Sequence, residues 1–202
     1  MRKRLSRKDR RSAILDQARA LFAQRGFSDT EMEDIRLACG ISRGGLYHHF
    51  ANKRAVLDAL VEAEVAQLVA ILEDTGASPI PTLLRAMSSH LGSSQGVISG
   101  LKTRPERLDY LSSLELALPE LLIYPLGERL GGYVRPDVDP THLAELFLTI
   151  NTHINRREIL GEWTSGQAAG FAATALQALA PFLSDPSELD PIIASLKEAS
   201  SR

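Results

Sequence analysis

Residues 30–50 read Thr30-Glu31-Met32-Glu33-Asp34-Ile35-Arg36-Leu37-Ala38-Cys39-Gly40-Ile41-Ser42-Arg43-Gly44-Gly45-Leu46-Tyr47-His48-His49-Phe50. Thr30 and Glu33 have the spacing of a capping box, in which the hydroxyl accepts from the Glu33 N–H and the carboxylate reaches back. That predicts a helix burying Met32 and Ile35 and stopping at Gly40. Ser42 then caps another helix, with Leu46 and Phe50 four residues apart on its inner face. Upstream, Ile14, Ala18, Leu21 and Phe22 recur at helical spacing, predicting a first helix from Asp9 to Arg25 closed by Gly26. Three short helices, the last two joined by a tight glycine turn, make a helix-turn-helix.

Charge supports a polyanion partner for this end of the chain. The formal net charge is only −2. Residues 1–55, however, hold thirteen Lys or Arg against six acids, a net +7, and the remainder carries −9. A basic head on an acidic body is the footprint of nucleic-acid binding, although a solvated basic arm gives the same balance. In the predicted last helix of the motif, Arg43 stands where it can fork onto a guanine edge. Tyr47, His48 and Lys53 suit phosphate contacts, which fix register. Gly44 and Gly45 cost the helix about 1 kcal/mol each relative to alanine, and their bareness lets backbone approach the bases.

The string T-x-M-E-D-I-x-x-A-C-G-I-S-R-G-G-L-Y-H-H-F-x-N-K-x-x-x-L, from Thr30 to Leu57, strongly resembles the DNA-binding head of the tetracycline-repressor (TetR) family. The resemblance implies an all-α protein: an N-terminal three-helix head over residues 1–52 and a helical effector-binding and dimerisation domain over 53–202. It implies operator contacts from Thr30, Ser42, Arg43, Gly45, Tyr47, His48 and Lys53. Arg36 departs from the small residue usual beside the turn; either its stem lies along packed surface or it adds a phosphate contact. The expected partners are a double-stranded DNA operator, a second copy of the chain and an unidentified small-molecule effector.

Beyond the head, Val56, Leu57, Leu60, Val61, Val65, Leu68 and Leu72 predict a long helix to about Asp74. Ser78 and Pro79 open a next one carrying Leu83, Leu84, Met87 and Leu91. Residues 92–103, rich in Ser and Gly, read as a loop. Helices follow near 105–116, 118–133, 140–160 and 167–183, with a short terminal one after Pro186. The family pattern implies that those near 140–160 and 167–183 form the homodimer interface. Leu143, Phe147, Ile150 and Ile154 line the first. Ala168, Ala169, Gly170, Ala172, Ala173, Ala175 and Ala178 let the second approach a neighbour closely, while Phe171, Leu176 and Leu179 supply bulk. Periodicity alone also allows burial within one chain. Polar candidates for an effector pocket are His90, Tyr110, Asn151 and His153, with helix–helix hydrogen bonding the equal alternative for Asn151 and His153.

Other functions find little support. No G-x-S-x-G, H-E-x-x-H, Walker or G-x-G-x-x-G pattern nominates an enzyme. Adjacent His48 and His49 point about 100° apart on a helix, so no metal or cofactor is expected. The lone Cys39 reads as a small filler at the turn and fits a reducing, cytoplasmic setting. The uncharged run Trp163–Ser184 is too rich in Ala, Gly, Gln and Thr for a membrane span. An architectural DNA binder without an effector stays open, separable from a sensor by whether the C-terminal core is filled or hollow.

Overall fold

The computed structural model describes residues 6–73, 81 and 97–201. The helix expected around Leu83–Leu91, its opening at Ser78-Pro79 and the pocket candidate His90 lie outside those residues, as do the side chains of Leu68 and Leu72. Among the described residues all regular structure is helical, apart from an isolated bridge pairing Val134 with Leu183. The chain divides into two compact units, Met1–Glu64 with Ser93–Leu114, and Val65–Gly92 with Glu115–Arg202. This differs from the boundary expected at residue 52.

In the first unit, α1 (Arg7–Arg25) starts two residues earlier than predicted, because Ser6 caps it and Asp9 returns the bond. Ile14, Leu15, Ala18 and Phe22 form its buried stripe. α2 (Met32–Cys39) ends at Gly40, whose φ of 61° lies in the left-handed region that glycine adopts without a Cβ penalty. The Gly40 and Ile41 N–H groups close the turn onto the Leu37 and Arg36 carbonyls. α3 (Arg43–Tyr47) is capped by Ser42, whose hydroxyl accepts from Gly45 N–H at 3.1 Å. Leu46 and Phe50 are buried as expected.

α4 (Lys53–Glu73) begins in this unit. Val56, Leu57, Leu60 and Val61 are each 0 % exposed, so its first turns are part of the head's own core rather than a linker. Arg11 of α1 pairs with Glu62 of α4 at 3.6 Å. The stretch read as a loop holds a buried element: Val97–Gly100 form a 3₁₀ turn against α1, with Val97, Gly100 and Leu101 buried. Gly100 makes this approach possible, since a Cβ there would stand 2.3 Å from the Phe22 carbonyl oxygen. α5 (Arg104–Leu118) follows directly.

The second unit continues through a π-type turn, Pro119–Ile123, into α6 (Tyr124–Leu130). α7 (Pro140–Ile159) is capped by Asp139, which accepts from the Thr141 and His142 N–H groups. Those two bonds hold the Asp139 carboxyl below its ordinary range. α6 and α7 pack closely at Gly127, where a Cβ would meet Thr141 at 2.8 Å. α8 (Ser165–Leu179) starts in a capping box between Thr164 and Gln167 and gives way to a 3₁₀ turn at Pro181. α9 (Asp190–Ser200) ends the fold.

The small residues of α8 are shared differently from the expectation. Ala168, Ala169 and Ala173 are buried within the chain, and the Cβ positions of Gly166 and Gly170 face Ser200 of α9. Phe171, Thr174, Gln177 and Ala178 remain exposed.

Candidate nucleic-acid interface

The exposed side of α3 carries Ser42, Arg43, Gly44, Tyr47 and His48, while Leu46, 0 % exposed, anchors the opposite side. This division follows from the cap: Ser42 fixes where the helix starts, and the start decides which residues turn outward. The Arg43 guanidinium lies over the Tyr47 ring, 5.6 Å from its centre. The ring face attracts the cation and so restrains a long side chain beside Tyr47. Gly44 has no atom within 4 Å of an added Cβ, so its backbone is open to a ligand. Gly45 is tighter, with Ser42 Oγ at 3.2 Å.

Three other expected contacts are placed otherwise. Thr30 is wholly buried and donates its hydroxyl to the Gly26 carbonyl at 2.7 Å. It neither caps α2 nor offers that hydroxyl to solvent. Capping shifts by one residue: Glu31 is the N-cap, its N–H held by Asp34 at 2.8 Å. The end of α1 needs a donor for its last carbonyls, and Thr30 supplies it. Arg36 grips Glu33 with two nitrogens, at 2.9 and 2.7 Å, and donates a third bond to the Ile41 carbonyl at 2.9 Å. It thereby braces the turn between α2 and α3. Lys53 donates to the Phe27 and Ser28 carbonyls at 2.7 and 3.1 Å and lies over the Phe27 ring.

The sequence did not single out the start of α1 as part of this surface. Arg7, Arg10 and Arg11 lie near enough to His49 that their charges, after burial and beside His48, help lower its pKa. The thirteen bases of residues 1–55 were the available signal; which of them gather beside α3 was not. Cys39 is half-buried, and burial pushes its thiol pKa up, away from a reactive thiolate. His48 and His49 meet edge to face with ring centres 5.5 Å apart. Among the described residues no group of three His, Cys, Asp or Glu is arranged to hold a metal ion.

The described pocket candidates are divided between the two units. Tyr110, in the first unit, is buried and donates to Glu64 at 3.2 Å; burial and that carboxylate raise its pKa. In the second unit Asn151 is half-buried on α7. His153 is exposed, in an aromatic group with Trp163 and Phe171 at ring separations of 5.1–5.8 Å.

A short capped helix, held from behind by leucine and bared by glycine at its outer face, defines a helix-turn-helix DNA-binding regulator. Comparison agrees. Residues 14–60 match the family model for bacterial regulatory proteins of the tetR family. The HTH-type transcriptional repressor KstR2 of Rhodococcus jostii is 32 % identical over 154 residues, covering 69 % of this chain and 74 % of that protein. KstR2 of Mycobacterium tuberculosis is 29 % identical over 162 residues, covering 73 % and 80 %. A TetR-family regulator from Pectobacterium atrosepticum shares the fold with a TM-score of 0.55 at 22 % identity, over 90 % of this chain and all of that one. The chain belongs to the tetR family of transcriptional regulators. No helix among its described residues is long and apolar enough to cross a membrane.

Proposed function

We propose that this protein is a cytoplasmic, homodimeric repressor that binds a palindromic DNA operator through α3 and is released by a small-molecule effector. The carrying observation is the outward face of α3, with Arg43 over Tyr47 beside the open backbone of Gly44. Arg43 reads a base edge. Ser42, Tyr47 and His48 hold phosphates or sugar, and the Gly44-Gly45 backbone fits closely against the groove. Lys53 and Arg36 act from behind, by fixing the turns that flank the motif. In this reading the head of residues 1–52 is completed by the first turns of α4, and the effector site and the dimer contact lie within the rest of 53–202.

A self-complementary surface on the second unit supports dimerisation. Leu146, Ile150 and His153 share a face of α7, and Phe171, Ala175 and Ala178 share one of α8. Leu146 is 45 % and Phe171 42 % exposed in the single chain, so both have apolar surface left for a partner to cover. A second copy would bury both and build a four-helix contact.

Retardation of the protein's own promoter fragment tests the proposal, with Arg43→Ala as comparator. Arg43→Ala should flatten preference at one base position per half-site, by about 1–3 kcal/mol, and leave binding to random duplex nearly unchanged. Absence of retardation at low salt would refute the DNA assignment. An architectural protein without an effector is the second reading: among the described residues the apolar cavity lined by Leu126, Leu130, Leu143, Phe147, Leu176 and Leu179 is only about 20 Å³, whereas a cleft of about 420 Å³ lined by Glu115, Thr149, Thr152, His153 and Arg156 offers room for a ligand. A metabolite that both raises the melting temperature and releases DNA would decide for the sensor.

A further inference from the structure

The turn that feeds α2 is clamped from two sides by charged residues of other helices. Lys53, at the start of α4, donates to the Phe27 and Ser28 carbonyls. On the other side, Glu106 of α5 accepts from the Ser28 N–H at 2.7 Å through Oε1. Its second oxygen accepts from the Thr103 N–H at 2.7 Å and the Thr103 hydroxyl at 2.9 Å. Both the N–H and the C=O of Ser28 are therefore held by side chains from outside the motif. Gly100 adds a carbonyl that accepts from Phe27 N–H at 3.0 Å, and Lys102 reaches the Arg25 carbonyl.

Glu106 is 4 % exposed. A buried carboxylate is tolerated only where donors surround it. Burial raises its pKa, but the hydroxyl and N–H groups of Ser28 and Thr103, none of them cationic, outweigh that effect and hold it at about 2. Thr103 and Glu106 on their own make an ordinary capping box at the start of α5, which needs one carboxylate oxygen. The other oxygen, Oε1, spent on Ser28 78 residues away in the chain, is surplus to capping. That surplus bond ties α5 to the α1–α2 turn, three residues before the N-cap of α2.

We infer that Glu106 is a positioning residue for DNA recognition: through the Ser28 amide it sets the orientation in which α2 and α3 are presented to the groove. It touches no DNA itself. The inference rests on the DNA-binding role proposed above and adds a residue that the helix-turn-helix pattern does not contain.

Glu106→Gln separates the two duties. A glutamine still serves a capping box through its one carbonyl oxygen, but turns an NH₂ group toward the Ser28 N–H, two donors facing each other. Duplexes recovered by the wild-type chain from a randomised pool serve as specific probe and an unrelated duplex of equal length as non-specific probe. Amide exchange at Ser28 is followed in the same full-length proteins. Glu106→Gln should exchange the Ser28 amide at least tenfold faster and lose at least tenfold in specific affinity. Its non-specific affinity, set by phosphate charge, should stay within twofold. Equal loss on both probes, no loss on either, unchanged Ser28 exchange, or a variant that no longer folds would each overturn the inference and leave Glu106 a stability residue. A wild type that prefers no duplex would instead refute the DNA-binding role, and is recognised by its own failure.

Discussion

Replacing Gly100 by alanine tests the docking of the 3₁₀ turn on α1. The added Cβ would lie 2.3 Å from the Phe22 oxygen, 2.5 Å from the Phe22 carbon and 3.1 Å from the Ala23 nitrogen. All three atoms are helix backbone, so no side chain can swing aside. Relief requires residues 97–100 to lift from α1 by about 1 Å, and overpacking of this kind costs about 1–3 kcal/mol. Lifting also stretches the 3.0 Å bond from Phe27 N–H to the Gly100 carbonyl. Leaving a buried donor unmatched adds about 1–3 kcal/mol. The expected loss is therefore about 2–6 kcal/mol, a large fraction of the ~5–15 kcal/mol that holds a domain together. Urea unfolding followed by circular dichroism reads this as a midpoint lowered by about 1–3 M for a slope of about 2 kcal/mol/M. Gly44→Ala is the control, because its Cβ meets nothing within 4 Å and alanine favours helix by about 1 kcal/mol. A Gly100→Ala protein within about 0.5 kcal/mol of the parent, inside the range of ordinary surface changes, would refute the close approach.

The depressed pKa of Glu106, about 2 against an ordinary 4.5, makes the folded state favour the ionised form. Its stabilisation, about 3 kcal/mol at most by linkage, is full above about pH 4.5 and lost as pH falls toward 2. Wild type should lose stability more steeply than Glu106→Gln between pH 5 and 2; parallel acid-unfolding curves would contradict this. Phe171→Glu should yield single chains by light scattering at concentrations where the parent is dimeric, without loss of helical signal, since Phe171 is exposed in the single chain. A variant that stays dimeric would move the interface elsewhere.

Much of the head was readable because its signals are local. Gly40 and Ser42 mark the turn and the start of α3 through their own backbone needs, and Leu46 and Phe50 show the inner face by spacing. Thr30 misled because two overlapping capping patterns, Thr30 to Glu33 and Glu31 to Asp34, fit the same stretch. The unmet Gly26 carbonyl, which draws Thr30 inward, is a tertiary fact. The 92–103 segment misled for a related reason: glycine reads as loop by composition, while at Gly100 it is required by contact. Thr103-Arg104-Pro105-Glu106 carries a capping-box signature that sequence could have exposed, but its bond to Ser28 spans a separation no local pattern covers. In α8, periodicity found the alanines without telling which are covered by α9 and which remain for a partner.

The internal pairing of the head's arginines also bears on how the ionic atmosphere of DNA would be exchanged on binding. Arg11, Arg19, Arg25, Arg36 and Arg54 each hold a carboxylate of the same chain, and Lys53 is committed to backbone carbonyls. Among the described residues up to 55, Arg7, Lys8, Arg10 and Arg43 are the cations without such a partner. Each phosphate neutralised releases about 0.9 of a condensed counterion. The described part of the head would then displace about four ions unless those pairs open on contact, so its share of the salt dependence of DNA binding would be gentler than its formal charge implies.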